Sequence, residues 1–272
     1  MSSYGTISAD KLNRLTGTPN GPVIVDVRTD EDFALDPRLI PGSTRLAFAT
    51  APAWAARYRG QPAVAVCQKG QKLSQGAAAW LRHEGASAET LDGGFEAWAG
   101  AGLPLLPIAK LPPLDPSGRT VWVTRSRPKI DRIACPWLIR RFVDRQAVFL
   151  FVAPSDVLAV AERFGATPFD IEDIHWSHRG ERCTFDVMIE EFGLAGKALD
   201  RLATIVRAAD TGRLDLAPEA AGLLAASLGL SRMYADDLAQ LEAGMLLYDA
   251  FYHWCRDATD ETHNWPAKKP GA

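Results

Sequence analysis

The chain has 272 residues, 47% of them hydrophobic, and a formal net charge of −3. The length and apolar content suffice for two domains of ordinary size, and the slightly acidic balance argues against a general binder of nucleic acids or membrane surfaces. The sequence has no apolar N-terminal signal segment and no apolar run of membrane-spanning length. Its four cysteines lie far apart without metal-finger pairing, so we expect a cytoplasmic protein.

The first half of the chain alternates short apolar runs with helical patterns. Residues 23–27 (VIVDV) and 63–66 (AVAV) are typical of strands buried on both faces. A helical pattern follows each run, which predicts a parallel sheet. Asp26 and Arg28 stand at the end of the first run, where a charged pair more often holds a neighbouring loop than performs catalysis. We predict that structural role for them.

A cysteine at the end of the second run is the most informative feature. Residues 64–79 read VAVCQKGQKLSQGAAA, so Cys67 ends a strand and precedes a short polar loop and an Ala-rich helix. Backbone N–H groups and a helix N-terminus favour a thiolate at such a place, and Lys69 and Lys72 add positive charge. The sequence predicts a thiol that accepts a sulfur atom or holds an oxyanion. The alternative is a buried cysteine that ends a core strand.

Four motifs in this order resemble the rhodanese family: residues 22–33, residues 40–43, the Cys67 loop and residues 91–105. The resemblance covers residues 1–108 and implies an α/β fold with a central parallel sheet and helices on both faces. It also implies that Cys67 becomes a persulfide by taking sulfur from an anionic donor such as thiosulfate and passes it to a thiol acceptor without a cofactor. The anion cradle that it implies consists of the backbone amides of Gln68, Lys69, Gly70, Gln71, Lys72 and Leu73.

The Cys67 loop departs from the commonest pattern of that family. Gly76 lies one residue further from Cys67 than the helix-starting glycine of the commonest sulfurtransferase loop does. A longer loop suits a bulkier, phosphate-like oxyanion, but relatives with such loops carry an arginine there, whereas this loop offers only Lys69 and Lys72. Sulfur transfer is the favoured prediction, and a bulky oxyanion is the alternative.

A proline-rich segment divides the chain. Residues 104–118 (PLLPIAKLPPLDPSG) have no amphipathic period, which predicts a semi-rigid linker, placed at residues 109–118. The second domain is predicted at residues 119–258, followed by a disordered polar tail at residues 259–272.

The second domain has a different pattern, which predicts a mostly helical α+β fold. WVTR and AVFLFV are typical of strands, and the segment IDRIACPWLIRRFVDR is typical of a helix. Three further helical patterns cover about residues 194–209, 218–228 and 234–256.

Four long motifs of this second domain occupy residues 124–142, 178–186, 205–210 and 248–255. They resemble the family of chromate-resistance ChrB C-terminal domains. The resemblance implies a link to chromate or general oxyanion stress.

A cluster of positive charge surrounds the first helix of this domain. Arg125 and Arg127 stand at the predicted strand-to-helix junction, and guanidinium groups suit a dianion such as chromate or sulfate. We predict that these two residues bind the anion. For Arg140 and Arg141 the alternative is a solvated helix face paired with acids.

A predicted hairpin supplies candidate metal ligands. If Arg179 and Gly180 form its two-residue turn, His178 and Cys183 project from one face. Asp210, at a helix end, would complete a transition-metal site with them. The alternative is a hydrogen-bonded histidine and an inert buried cysteine.

Two functions fit these features. The first is a rhodanese-type sulfurtransferase whose C-terminal domain couples sulfur chemistry to chromate resistance. The second is a non-catalytic sensor in which the Cys67 loop and the Arg-rich helix register oxyanions or redox state. The sequence contains no recognisable helix-turn-helix with a basic face, which is what a DNA-reading regulator would be expected to have.

Overall fold

A five-stranded parallel sheet forms the centre of the N-terminal domain. The computed structural model describes residues 5–261; the predicted tail therefore lies outside the described residues, apart from residues 259–261. The sheet has the order β1-β6-β5-β2-β4, and β3 pairs with β7 separately. The strands are β1 (Thr6–Ile7), β2 (Val23–Asp26), β3 (Arg38–Leu39), β4 (Ser43–Arg45), β5 (Pro62–Val66), β6 (Ser87–Leu91) and β7 (Leu106–Pro107).

Helices cover both faces of this sheet, as predicted. They are α1 (Ala9–Leu15), α2 (Asp30–Leu35), α3 (Ala51–Trp54), α4 (Lys72–His83) and α5 (Gly94–Gly100). Ala63 and Ala65 of β5 pack in one core with residues of α3 and α4, whereas Val64 and Val66 pack in a second core with residues of α1 and α5. Because successive strand residues face opposite sides, burial on both faces requires the continuous apolar run seen in the sequence.

The predicted structural role of Asp26 and Arg28 is confirmed. The Arg28 guanidinium, 1% exposed, donates from Nε and Nη2 to the Asp26 carboxylate at 2.9 and 2.7 Å. It also donates to the carbonyl oxygens of Asp36 and Arg38 and lies 3.6 Å from the centroid of the Phe95 ring. The pair therefore fixes the loop between α2 and β3.

The C-terminal domain is mostly helical, and its predicted strands and helices are present. Its strands β8 (Val121–Arg125), β9 (Val148–Val152) and β10 (Thr167–Pro168) form a parallel sheet in the order β10-β8-β9. Its helices are α6 (Asp131–Leu138), α7 (Val157–Phe164), α8 (Thr184–Glu191), α9 (Lys197–Asp210), α10 (Ala220–Met233) and α11 (Asp237–His253). Within residues 5–261, no helix combines the length and apolar character needed to cross a membrane.

The predicted hairpin around Arg179 is wrong in register. Arg179 and Arg182 exchange backbone hydrogen bonds of 3.0 and 3.1 Å, so the turn residues are Gly180 and Glu181 rather than Arg179 and Gly180. Gly180 has a φ of +61°, a conformation that glycine adopts without the steric cost of a side chain. The single bridge does not continue into paired strands.

Helix α8 takes the place of the predicted second hairpin strand. Cys183 is the residue before the first helical turn, and its N–H donates to the Asp186 carboxylate at 3.0 Å. This contact satisfies one of the backbone N–H groups that the start of a helix leaves without a partner. Phe185, Met188 and Ile189 then face the core of the C-terminal domain, which is the spacing of an amphipathic helix.

The proline-rich segment packs on both domains. Leu106–Pro107 pairs antiparallel with Arg38–Leu39, and both leucines belong to the core formed mainly by the C-terminal domain. A direct backbone contact also joins the domains, because the Gly42 N–H donates to the Phe142 carbonyl oxygen at 2.6 Å.

Ion pairs of Glu191 connect this segment to α8. We expect them to make the stability of the protein depend on pH. Lys110 Nζ lies 2.7 Å and Arg179 Nη1 lies 2.6 Å from the Glu191 carboxylate, and these hydrogen bonds lower the pKa of Glu191 to about 2. A folded-state pKa below the unfolded value gives stability that is present above the unfolded pKa and is lost as the pH falls. We expect Glu191→Gln to lower the free energy of unfolding at pH 7 by only about 1 kcal/mol, since both cations are partly exposed to solvent, which screens the pairs.

Urea denaturation at pH 7 and at pH 3 measures this effect. The difference between wild type and Glu191→Gln should shrink as the pH falls from about 4.5 towards 2. Glu162→Gln, a change at an exposed residue of α7, is the matched control and should have little effect at either pH. A difference for Glu191→Gln that is equal at both pH values would contradict the prediction.

Candidate functional site

Cys67 lies between the central strand of the N-terminal sheet and a helix. Strand β5 ends at Val66, and α4 begins at Lys72 with Gln71 as its N-cap residue. The Cys67 side chain is 5% exposed. The loop therefore places the sulfur at the carboxyl edge of a parallel sheet, beside the N-terminus of a helix of 12 residues, which is where α/β folds commonly bind anionic ligands.

Glycine residues hold this loop against the segment that starts α5. Gly94 has a φ of +63°, and a Cβ atom on it would lie 2.3 Å from the Cys67 carbonyl oxygen. Gly70 has a φ of +67°, and its Cβ atom would lie 2.4 Å from the Leu91 carbonyl oxygen. Phe95 N–H donates to the Cys67 carbonyl oxygen at 3.0 Å. This close backbone packing fixes the path of the chain around the thiol.

Polar groups of Gln71 and Ser74 contact the Cys67 sulfur. Gln71 N–H donates to Sγ over 3.3 Å, and the thiol donates to Ser74 Oγ over 3.2 Å. Ser74 is fully buried and itself donates to the Gln71 carbonyl oxygen. Sequence reasoning missed Ser74; its place on the buried side of α4, three residues before Ala77, could have indicated it.

The other residues predicted to bind the substrate differ in their surroundings. Lys69 lies in the loop and Lys72 opens α4, and both side chains are exposed. The Gln68 side chain instead donates to Glu96 Oε1 at 3.2 Å. Of the backbone amides predicted to form the cradle, Gln71 N–H is directed at the sulfur, and the binding of an anion by residues 68–73 stays a prediction.

The arginines predicted to bind a dianion donate to protein oxygens. Arg125 Nη2 contacts the backbone and the carboxylate of Asp170 at 3.0 and 3.2 Å. Arg127 Nη2 donates to the Ser231 carbonyl oxygen at 2.5 Å, and its backbone N–H donates to Asp237. Both side chains are thus engaged within the domain, and their binding of an external anion stays a prediction.

Arg140 and Arg141 both have acidic partners, which confirms the pairing with acids in the alternative given for them. Arg140 pairs with Glu242 at 2.5 Å, and Arg141 contacts both oxygens of the Asp249 carboxylate at 2.8 and 2.7 Å. The Asp249 side chain is only 6% exposed, so this second pair is a buried one rather than part of a solvated face.

A second polar site lies in the C-terminal domain, where three carboxylates surround one imidazole. His178 Nε2 lies 3.5 Å from Asp131 Oδ2, 3.5 Å from Asp170 Oδ1 and 3.3 Å from Asp210 Oδ2. Asp131 opens α6, Asp170 follows β10, and Asp210 ends α9. We call these four residues the Asp–His cluster.

Neighbouring groups hold two of these carboxylates in place. Thr184 donates from its N–H to Asp131 Oδ2 at 2.6 Å and from its hydroxyl to Asp170 Oδ1 at 2.9 Å. Arg132 Nε lies 3.3 Å from Asp170 Oδ2, on the same carboxylate that Arg125 contacts. The start of α8, the end of β8 and the first turn of α6 therefore position the acidic side of the cluster.

The cluster shifts the pKa values of its members. Hydrogen bonds from His178 to Asp131, Asp170 and Asp210 raise the pKa of its imidazole to about 12. Burial raises the pKa of Asp131 to about 7, although His178 acts against this shift. Burial also opposes ionisation of Asp170, but hydrogen bonds from His178 and Thr184 and the charge of Arg132 keep its pKa below the usual value.

The predicted metal ligands are only partly brought together. His178 and Asp210 are neighbours, and Asp131 and Asp170 join them although the sequence analysis missed both. Ligand atoms of Asp131, Asp170 and His178 lie within 4.8 Å of one another. Cys183 is a fully buried helix-capping residue beside Asp131 but is not among these ligand atoms, and burial and the Asp131 charge raise the pKa of its thiol well above the usual value.

Comparisons with known proteins find one family in each half of the chain. Residues 8–101 match the family model of the rhodanese-like domain, and residues 122–255 match that of the ChrB C-terminal domain. Both resemblances inferred from the sequence motifs are thereby confirmed.

Single relatives match parts of the chain. The Protein ChrB of Cupriavidus metallidurans is 35% identical over 154 residues, which cover 54% of this chain and 44% of that protein. The chain thus spans less than half the length of this relative.

Solved structures match the N-terminal half. A rhodanese-like domain protein of Staphylococcus aureus is 30% identical over 35% of this chain and 91% of that one, with a TM-score of 0.31. A thiosulfate sulfurtransferase of Pseudomonas aeruginosa is 26% identical over 37% of this chain and 19% of that one, with a TM-score of 0.33.

Proposed function

The chain joins a rhodanese-like domain to a ChrB C-terminal domain, and we propose that it is a sulfurtransferase that acts in resistance to chromate or related oxyanions. The observation that carries the catalytic part is the place of Cys67: its sulfur accepts the N–H of Gln71 at the N-terminus of α4. A helix N-terminus favours negative charge on a group placed there, and the thiolate is the nucleophilic form of cysteine.

The reaction proceeds in two balanced steps. The Cys67 thiolate attacks the outer sulfur of thiosulfate, the sulfur–sulfur bond of the donor breaks, and sulfite leaves with the bonding electron pair. An acceptor thiolate then attacks the outer sulfur of the Cys67 persulfide, and the Cys67 thiolate leaves and is ready for the next donor. The reaction needs no external oxidant, reductant or cofactor, because each step breaks one bond to the transferred sulfur atom and forms another.

The coupling to oxyanion resistance is the second part of the proposal. It is supported by the ChrB C-terminal domain and by the similarity to Protein ChrB. All four cysteines are free thiols, which supports a reducing compartment such as the cytoplasm as the place of the reaction.

Formation of thiocyanate from thiosulfate and cyanide by the purified protein tests the catalytic part. A sulfurtransferase gives turnover that saturates with thiosulfate. A sensor that only registers oxyanions gives none, and that result would reject the proposal.

The exposed lysines of the loop predict a preference for charged donors. We expect the double variant Lys69→Ala/Lys72→Ala to raise the KM for thiosulfate about 10-fold, because each ammonium group adds on the order of 1 kcal/mol or less to the local attraction of a dianion. The effect should shrink at high salt, since screening weakens the same attraction. Steady-state kinetics at low and high ionic strength measure it.

A second double variant controls for net charge. Arg163→Ala/Lys197→Ala removes two exposed cations of the C-terminal domain and should leave the KM unchanged. If both double variants behave like the wild type, the backbone amides alone bind the donor and the assignment of the lysines is wrong.

A further inference from the structure

We propose that Asp131, Asp170, His178 and Asp210 bind a divalent first-row transition-metal ion such as Mn²⁺. This site lies in the C-terminal domain, and it is independent of the sulfur transfer proposed at Cys67. Its ligand set replaces the one predicted from the sequence: His178 and Asp210 are kept, and two carboxylates take the place of Cys183.

The spacing of the cluster fits the coordination shell of one ion. The three carboxylate oxygens lie 3.3–3.5 Å from His178 Nε2. Ligands at about 2.1 Å from a metal are separated by roughly 3.0 Å along an octahedral edge and 3.4 Å along a tetrahedral one. Ligand atoms of Asp131, Asp170 and His178 lie within 4.8 Å of one another, so these three can reach a common centre, and the Asp210 carboxylate approaches it from the His178 side.

An unsatisfied oxygen gives an independent indication of a ligand. Asp131 is 1% exposed, yet its Oδ1 atom has no hydrogen-bond partner among the described residues. Its Oδ2 atom already accepts from Thr184 N–H. A buried carboxylate oxygen without a donor is costly, and a cation bound by the carboxylate would satisfy it.

The charged groups around the Asp–His cluster favour the binding of a cation. Three carboxylates face two guanidinium groups, those of Arg125 and Arg132, and an ion that binds His178 Nε2 takes the place of the proton that the imidazole shares with these carboxylates. The arginines contact Asp170 and leave Asp131 and Asp210 without an arginine partner in the part of the chain that the structure describes.

The ligand atoms of the cluster indicate which ions fit, and the exposure of its side chains shows how an ion can enter. Three oxygens and one imidazole nitrogen suit Mn²⁺, Fe²⁺ or Zn²⁺ rather than a soft ion that prefers thiolates. The His178 and Asp210 side chains are 40% and 20% exposed, so an ion can enter from solvent. Thr184 and Arg132 hold the buried carboxylates and act as outer partners that position the ligands.

Metal titration of the full chain tests this site. The protein is stripped with a chelator, dialysed and titrated with Mn²⁺, followed by electron paramagnetic resonance of free Mn²⁺, and in parallel with Zn²⁺ by calorimetry. We expect one ion per chain for at least one of the two metals. His178→Gln and Asp131→Asn should each weaken binding on the order of 100-fold or more, since each removes one of four ligands.

A neighbouring histidine provides the matched control. His175→Gln changes an exposed histidine that contacts Arg179 and Glu191 rather than the Asp–His cluster, and it should bind metal like the wild type. Because His178 is partly exposed, His178→Gln is expected to fold, and circular dichroism verifies this. Absence of stoichiometric binding of both metals, or equal binding by wild type and folded His178→Gln, would overturn the proposal. Sulfur transfer by Cys67 would be unaffected by either outcome.

Discussion

Replacement of Cys67 by serine is expected to abolish thiosulfate-dependent sulfur transfer, with turnover falling by about 10³-fold or more. A serine hydroxyl cannot form the persulfide, and the remaining loop has no second thiol. The variant should fold normally, because serine is close in size to cysteine and the neighbouring Gln71 N–H and Ser74 hydroxyl can hydrogen-bond to its hydroxyl. Thiocyanate production in parallel with thermal unfolding separates loss of chemistry from loss of structure.

A second cysteine serves as the control for this result. Cys255 is also a buried free thiol, 2% exposed, but it lies in the C-terminal domain. Cys255→Ser should retain wild-type turnover. Substantial activity in Cys67→Ser would show that another group carries the sulfur.

Replacement of Gly94 by alanine should have the largest effect on stability and should also impair the site. The new Cβ atom would meet the Cys67 carbonyl oxygen at 2.3 Å and the Gly70 nitrogen at 2.3 Å, at a residue with a φ of +63°. A positive φ costs a non-glycine residue about 1–2 kcal/mol, and forcing apart packed groups typically costs about 1–3 kcal/mol. We therefore expect a loss of about 2–5 kcal/mol in the free energy of unfolding, together with displacement of the Cys67 loop.

Gly76 offers the matched comparison within the same region. It lies in α4, and a Cβ atom there meets nothing within 4 Å. Gly76→Ala should raise the free energy of unfolding by about 0.5–1 kcal/mol, because alanine is the better helix former. Urea denaturation and thiocyanate assays of both variants give the test. Equal stability of Gly94→Ala and Gly76→Ala would mean that the close packing of Gly94 on the Cys67 loop does not require glycine, which would contradict the prediction.

The N-terminal fold could be predicted because its signals are local. The apolar run at residues 63–66 reflects burial on both faces of β5, and the polar loop after Cys67 marks the transition to α4. The structural role of Asp26 and Arg28 also follows from their place at a strand end. The contact of Ser74 with the sulfur was not evident, since it depends on which side of α4 faces the loop.

The Asp–His cluster of the second domain could be predicted only in part, because its carboxylates come together through tertiary packing. Strands β8 and β10 are parallel neighbours, so the chain segments that leave their carboxyl ends meet, and these segments carry Asp131 and Asp170. Strand β10 has only two residues, one of them a proline, and therefore gives no recognisable strand pattern. Without it, Asp170 has no predicted position beside Asp131.

The prediction of a hairpin strand at Cys183 was wrong for a local reason. Alternating polar and apolar residues around Cys183 fit a short strand, but Asp186 accepts the Cys183 N–H and Phe185, Met188 and Ile189 pack into the core as one helical face. Helix capping and packing together outweigh the short alternating pattern.

Mass spectrometry of the full protein after incubation with thiosulfate tests the central claim most directly. Peptide mapping under conditions that preserve persulfides should find one added sulfur atom on Cys67, and cyanide should remove that sulfur as thiocyanate. The adduct should be absent from Cys67→Ser and present on Cys67 in Cys255→Ser. An unmodified Cys67 in the wild-type protein, or an adduct of equal yield in Cys67→Ser, would contradict the assignment of Cys67 as the sulfur carrier.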